Sequence, residues 1–139
     1  MFWIFRDLAK EVFDLNGTVC LEWPKPCRYW KDPHVEKFLK DNKMYKANFD
    51  GCYFGLRSCV KGSEHLYLRK PWCLATNLPE VLEGFTGLYC PGTGPDHIHD
   101  TTCGKNAKHS QGYTVEMVLK LHWCIKRHFE GPNCWWDTW

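Results

Sequence analysis

Apolar residues recur along this chain at two different periods. Phe5, Leu8, Ala9 and Val12 follow a 3.6-residue repeat, which predicts an opening helix that Asn16-Gly17 ends. Thr18-Val19-Cys20-Leu21 is a short continuous apolar run and predicts a buried strand. It ends at Glu22-Trp23-Pro24, because Pro24 brings no N–H to a central ladder. Asp32-Pro33 places an N-cap acceptor before a proline in the first helical position, and Val35, Phe38 and Leu39 give that helix its apolar face. Tyr45, Ala47 and Phe49 alternate up to the Asp50-Gly51 turn, the pattern of a second strand. Leu66 to Leu68 and Trp72 to Thr76 read as further strands around Lys70-Pro71. Asn77 is placed to cap a short helix through Val81, Leu82 and Phe85. After a loop rich in Gly, Pro and His, the residues Val115, Val118, Leu119, His122, Ile125 and Phe129 predict a long closing helix.

Strands alternating with helices favour a three-layer α/β sheet. The expected architecture is a partial Rossmann-methyltransferase-like sheet of roughly three to five strands flanked by helices, with a Cys/His zinc loop. Residues 1–130 are expected to form a single α/β domain with the zinc loop at 90–104, and residues 131–139 an aromatic tail without periodic support. The opening helix starts without a cap before it, which suggests a piece of something longer or a truncated copy.

Nine cysteines in 139 residues change the picture, because a secreted disulfide scaffold becomes a rival to a reduced protein. Met1-Phe2-Trp3-Ile4-Phe5 runs at once into Arg6 and Asp7, unlike a signal peptide. Cys20, Cys73 and Cys124 fall inside apolar segments, where a reduced Cys packs as a small hydrophobe. The expected setting is therefore intracellular, cytoplasmic or nuclear. No run of about eighteen apolar residues predicts a membrane span. A net charge of +2 is too small to argue for nucleic acid by itself.

The chemistry concentrates between Cys90 and Cys103. Cys90 and Cys103 offer thiolates, His97 and His99 offer imidazoles, and Gly92, Gly94 and Gly104 let the loop wrap an ion. Thiolates and imidazoles at close range are the ligands of structural zinc. Cys52, at the end of the second strand, is a substitute ligand, and the rival reading is a solvated polar loop with one buried Cys. Glu22 stands where a strand gives out, the place where ligands bind in an open α/β sheet, or is a surface residue beside a turn. Asp50 can orient Arg57 or cap a turn. Arg69 and Lys70, with Lys105, Lys108 and His109, can touch phosphates or form a solvated basic face. The chain has no Gly-x-Gly-x-x-Gly, Walker loop or Gly-x-Ser-x-Gly.

Four separated segments carry a resemblance: Leu21-Glu22-Trp23-Pro24 through Trp30, Phe49-Asp50-Gly51-Cys52-Tyr53-Phe54-Gly55-Leu56-Arg57, Lys70-Pro71-Trp72 to Asn77, and Cys90 to Gly104. In this order they resemble an uncharacterised family found in retroelement-like polyproteins and hypothetical proteins. That family shows Glu-x-Pro, Phe-Asp-x-Cys-x-x-Gly-Leu, Lys-Pro-Trp and Cys…His-x-His motifs. The order of parts is more distantly similar to the second half of the cytosine-5 DNA methyltransferase catalytic domain. That likeness implies a base-contacting role for Glu22 and a place for Arg69 near an arginine segment; Asp50, Arg57, Arg69 and Lys70 are the substrate-binding candidates of the chain itself. The Gly-rich S-adenosylmethionine loop and the Pro-Cys nucleophile of such enzymes have no counterpart in this chain. The lead expectation is a zinc-stabilised intracellular module, non-catalytic on its own. Its expected partners are nucleic acid or other regions of a polyprotein. The alternative is the C-terminal half of an S-adenosylmethionine-dependent nucleic-acid methyltransferase.

Overall fold

The computed structural model describes residues 2–131. The chain opens with α1 (Phe2–Asp14), β1 (Cys20–Pro24), a 3-10 turn (Arg28–Lys31), α2 (Pro33–Asp41) and β2 (Tyr45–Asp50). A second 3-10 turn (Gly51–Phe54) leads to β3 (Tyr67–Leu68), β4 (Pro71–Thr76) and α3 (Pro79–Phe85). The chain continues through β5 (His99–Asp100), α4 (Lys105–His109) and α5 (Val115–Glu130). No helix among the described residues is long and apolar enough to cross a membrane.

Strand β4 lies between β1 and β2 and pairs antiparallel with both. Each of its faces is covered. Trp72 and Leu74 join Ala47, Phe49, Val81, Phe85, Met117 and Cys124 in one core cluster. Cys73 and Ala75 join Leu21, Val35, Phe38 and Leu39 in the other. Burial on both faces explains why Trp72 to Ala75 is a continuous apolar run without alternation. Burying each such large side chain contributes about 1.5–3 kcal/mol. An exposed i,i+4 pair such as Lys37–Asp41 contributes only about 0.3–0.5 kcal/mol, so the two clusters decide the fold.

The α/β class and the three layers of the sequence reading are present, but the strand directions differ from a Rossmann sheet. A doubly wound sheet is mostly parallel, whereas all three strands here pair antiparallel. Periodicity reports which face of a strand is buried and carries no information on its direction. Strand β1 extends through Glu22 to Pro24, so Glu22 sits mid-strand opposite Leu74 and not at an exhausted strand end. Pro24 is tolerated because β1 is an edge strand and Pro24 is its last residue.

Asp32 caps α2 by accepting from the His34 N–H at 2.8 Å, with Pro33 in the first turn. Asn77 does not cap α3, whose N-cap is Leu78; its side-chain oxygen accepts from the Val19 N–H at 3.0 Å. Helix α5 is partly rotated from its predicted face, keeping the predicted Ile125 against the core. Met117 and Cys124 are buried and Leu121 packs beside them, while Val115, Leu119 and Phe129 are exposed. The predicted aromatic tail at 131–139 lies, beyond Gly131, outside the described residues.

Helix α3 approaches α5 closely at Gly84, where an added Cβ would stand 2.5 Å from Cys124 Sγ. Gly84→Ala is therefore expected to destabilise the chain by about 1–3 kcal/mol through overpacking. The denaturation midpoint measures this loss, and Cys124→Ala in the same chain should recover part of it by removing the clashing sulfur.

Candidate metal centre

Cys52, Cys90, His97 and His99 each present one donor atom, and all four atoms lie within 4.8 Å of one another. This group can hold a metal ion. Cys52 comes from the 3-10 turn that follows β2 and is buried beside Phe54. Cys90 lies on the loop after α3, and His97 and His99 lie at β5. Cys90 Sγ stands 3.6 Å from His97 Nε2 and 3.4 Å from His99 Nε2. The two rings meet edge to face, with centroids 4.8 Å apart.

Neighbouring groups fix each donor. The Cys90 N–H donates to Asp50 Oδ2 at 2.9 Å, which anchors the loop to the end of β2. The Gly92 N–H points to Cys90 Sγ at 3.4 Å. Gly92 reaches this position with φ +104°, a conformation that side-chain-bearing residues rarely adopt. His97 stacks on Tyr67 with centroids 4.1 Å apart. Arg57 covers Tyr67, 4.1 Å from its ring centroid, and Arg57 Nη2 donates to the Tyr67 hydroxyl at 2.7 Å. His99 Nδ1 lies 3.5 Å from Thr93 Oγ1, leaving Nε2 for the donor cluster. The parallel pairing of β3 with β5 places Tyr67 opposite His99. Asp100 then accepts from Ser58 Oγ at 2.7 Å and from Asn106 Nδ2 at 3.0 Å, which pins the far end of β5.

Burial acts on the two kinds of donor in opposite ways. Burial first, and then the adjacent Cys90, push the Cys52 thiol up to about 12. Burial, with the His97 ring and Arg69 adding to it, lowers the His99 imidazole below its usual value and favours the neutral form that ligates. Two thiolates neutralise a divalent ion, so a filled cluster carries no net charge into this half-buried place.

Of the residues singled out in the sequence, Cys90, His97 and His99 come together with Cys52. Cys103 does not; it is exposed, with its sulfur 3.2 Å from Thr101 Oγ1. The loop beyond β5 turns away toward α4, and nothing in spacing alone gives that direction. Asp50 pairs with Arg69 at 3.5 Å, not with Arg57, which donates to the His65 carbonyl and to Tyr67. Lys70 donates to the Ser110 carbonyl and lies over Trp72. Glu22 accepts from the Tyr113 hydroxyl at 2.7 Å, apart from the metal cluster. The roles of Tyr67, Thr93 and Tyr113 had no local signature, because each depends on a partner distant in sequence or on the fold of the loop.

No family model matches the chain, and neither a curated protein nor a solved structure is found similar to it.

A metal ion must displace a proton from each thiol. Affinity should therefore rise with pH, by roughly 100-fold per pH unit while both thiols are protonated. Competition against a chromophoric chelator measures this slope, and a pH-independent affinity would show that the thiols do not ligate. Cys52→Ser and Cys90→Ser should each weaken binding by more than about 100-fold, since each removes a ligand, while Cys103→Ser leaves it unchanged.

Proposed function

We propose that the chain is a zinc-stabilised α/β module that acts through partners and not by chemistry of its own. One observation carries this reading: four protein donors, two sulfur and two nitrogen, already stand within 4.8 Å of one another. Cys2His2 is a structural zinc set, and a site closed by four protein ligands keeps no position for substrate. Zinc bond lengths of about 2.3 Å to sulfur and about 2.0 Å to nitrogen give a tetrahedral edge of roughly 3.6 Å. The two observed sulfur–nitrogen distances are 3.6 and 3.4 Å.

The need for the ion follows from the loop. Between Tyr89 and Glu116 the buried residues are Asn106 and Ser110, both polar. Apolar burial therefore does little to hold this segment, and metal binding adds its free energy directly to folding. The free state of the eight described cysteines supports a reducing, intracellular setting. The Glu-x-Pro, Phe-Asp-x-Cys, Lys-Pro-Trp and His-x-His motifs support membership in a retroelement-type polyprotein, whose nucleic acid or neighbouring regions would be the partner. The antiparallel sheet and the mid-strand place of Glu22 weigh against a methyltransferase half.

Metal analysis of the purified full chain tests the proposal. About one zinc per chain is expected. Free zinc a thousandfold above its Kd should raise stability by about 4 kcal/mol, read as a thermal shift that a chelator reverses. A metal-free chain that folds fully and gains no stability from zinc would end this reading.

A further inference from the structure

The two sulfurs of the candidate cluster come from different parts of the chain and still meet. Cys52 Sγ and Cys90 Sγ lie within 4.8 Å of each other. Backbone contacts bring them together. The Asp50 N–H donates to the Leu88 carbonyl at 3.0 Å, and each cysteine stands two residues beyond this bond. The Cys90 N–H then donates to Asp50 Oδ2 at 2.9 Å, which fastens the second segment to the first. A disulfide needs a sulfur–sulfur distance of about 2.05 Å, so one sulfur must move toward the other. Cys52 is held in the core beside Phe54. Cys90 has room to move: a Cβ added at Gly92 or Gly94 would meet nothing within 4 Å.

The two thiols also differ in access. Cys52 is buried, whereas Cys90 is part-buried and adjoins the exposed residues Pro91, Gly92 and Thr93. An oxidant arriving from solvent therefore meets Cys90 first, with Cys52 behind it. An accessible sulfur with a second thiol close by is the arrangement of a reversible thiol switch, because the second thiol captures the first oxidation product before it is oxidised further. Cys59 and Cys103 are exposed too, but neither belongs to the cluster.

We propose that Cys52 and Cys90 form a peroxide-responsive release switch for the metal, in which oxidation joins the two sulfurs and expels the ion. This regulation rests on the zinc site proposed above. The Cys90 sulfur attacks one oxygen of hydrogen peroxide, the O–O bond breaks and hydroxide leaves, giving a sulfenic acid. The Cys52 sulfur then attacks Cys90 Sγ, the S–O bond breaks and a second hydroxide leaves. Two protons from solvent convert both hydroxides to water. The two thiolates have lost two electrons and the peroxide has gained them. Only His97 and His99 then remain as donors, two short of a closed zinc site, and the ion departs as Zn2+. The new bond still ties the connection between α3 and α5 to the end of β2, so the loop stays attached after the metal leaves. A reducing dithiol reverses the step by thiol–disulfide exchange.

Hydrogen peroxide, titrated into the zinc-loaded full chain beside a chromophoric zinc indicator, tests the switch, with the metal content measured first. About one zinc per chain should be released for about one equivalent of peroxide consumed. Peptide mapping after alkylation of the remaining thiols should find Cys52 joined to Cys90. Dithiothreitol and fresh zinc should then restore the loaded chain. The doubly altered chain Cys59→Ser/Cys103→Ser should release zinc in the same way, because its cluster is intact. A chain that loads zinc but forms no Cys52–Cys90 bond, or keeps its zinc once that bond has formed, overturns the switch and leaves the zinc site standing. A chain that never loads zinc overturns both.

Discussion

The long connection between α3 and α5 cannot hold itself in place by hydrophobic burial. Its large side chains Tyr89, Ile98 and Tyr113 are exposed, and its buried members, Asn106 and Ser110, are polar. Beyond Leu88, which packs on the core, and the His97–Tyr67 stack, what positions it is directional: the four-donor cluster, the Asp50–Cys90 contact, the Ser58–Asp100–Asn106 network and the Lys70–Ser110 tie. Hydrogen bonds contribute about 1 kcal/mol each, so such a set orders a loop without clamping it. A metal ion joining Cys52 to Cys90, His97 and His99 would add one strong crosslink to the rigid end of β2.

The two halves of that crosslink differ in stiffness. Cys52 rides on a turn packed with Phe49 and Phe54 in the core, and its position is set by the sheet. Cys90, His97 and His99 ride on the weakly buried connection and depend on their neighbours. The stack of Arg57, Tyr67 and His97 is one such support. Thr93 beside His99 is another. Each support acts on one of the two imidazoles, and outer contacts of this kind orient the rings of a metal site.

The same connection also serves the far side of the sheet. Residues 110–114 receive the Lys70 bond and present Tyr113 to Glu22. The candidate cluster and the Glu22–Tyr113 contact therefore both draw residues from the connection between α3 and α5. Lys70 links the two physically, because it follows Arg69, which faces Asp50 at the metal end.

The helices α1, α2 and α5 and the strands β1, β2 and β4 were legible from spacing, because core burial imposes a 3.6-residue repeat, an alternation or an apolar run. So were the Asp32 cap and the cluster of Cys and His in one loop. The short elements β5 and α4 were not, since two to five polar residues leave no periodic trace. Spacing also placed Val115, Leu119 and Phe129 inward, whereas the structure buries Met117 and Cys124 and keeps the predicted Ile125 against the core, because apolar residues occur on both sides of α5.

By itself, the amino-acid sequence determined the layered α/β class and three of the four donors in the candidate cluster, with Cys52 held open as a substitute. Tertiary structure decided the antiparallel order β1-β4-β2, the choice of Cys52 over Cys103 and the meeting of Glu22 with Tyr113. The physical reason is range. Periodicity and ligand chemistry are properties of neighbouring residues, whereas strand direction and donor convergence depend on where residues 38 and 91 positions apart are brought, from Cys52 to Cys90 and from Glu22 to Tyr113.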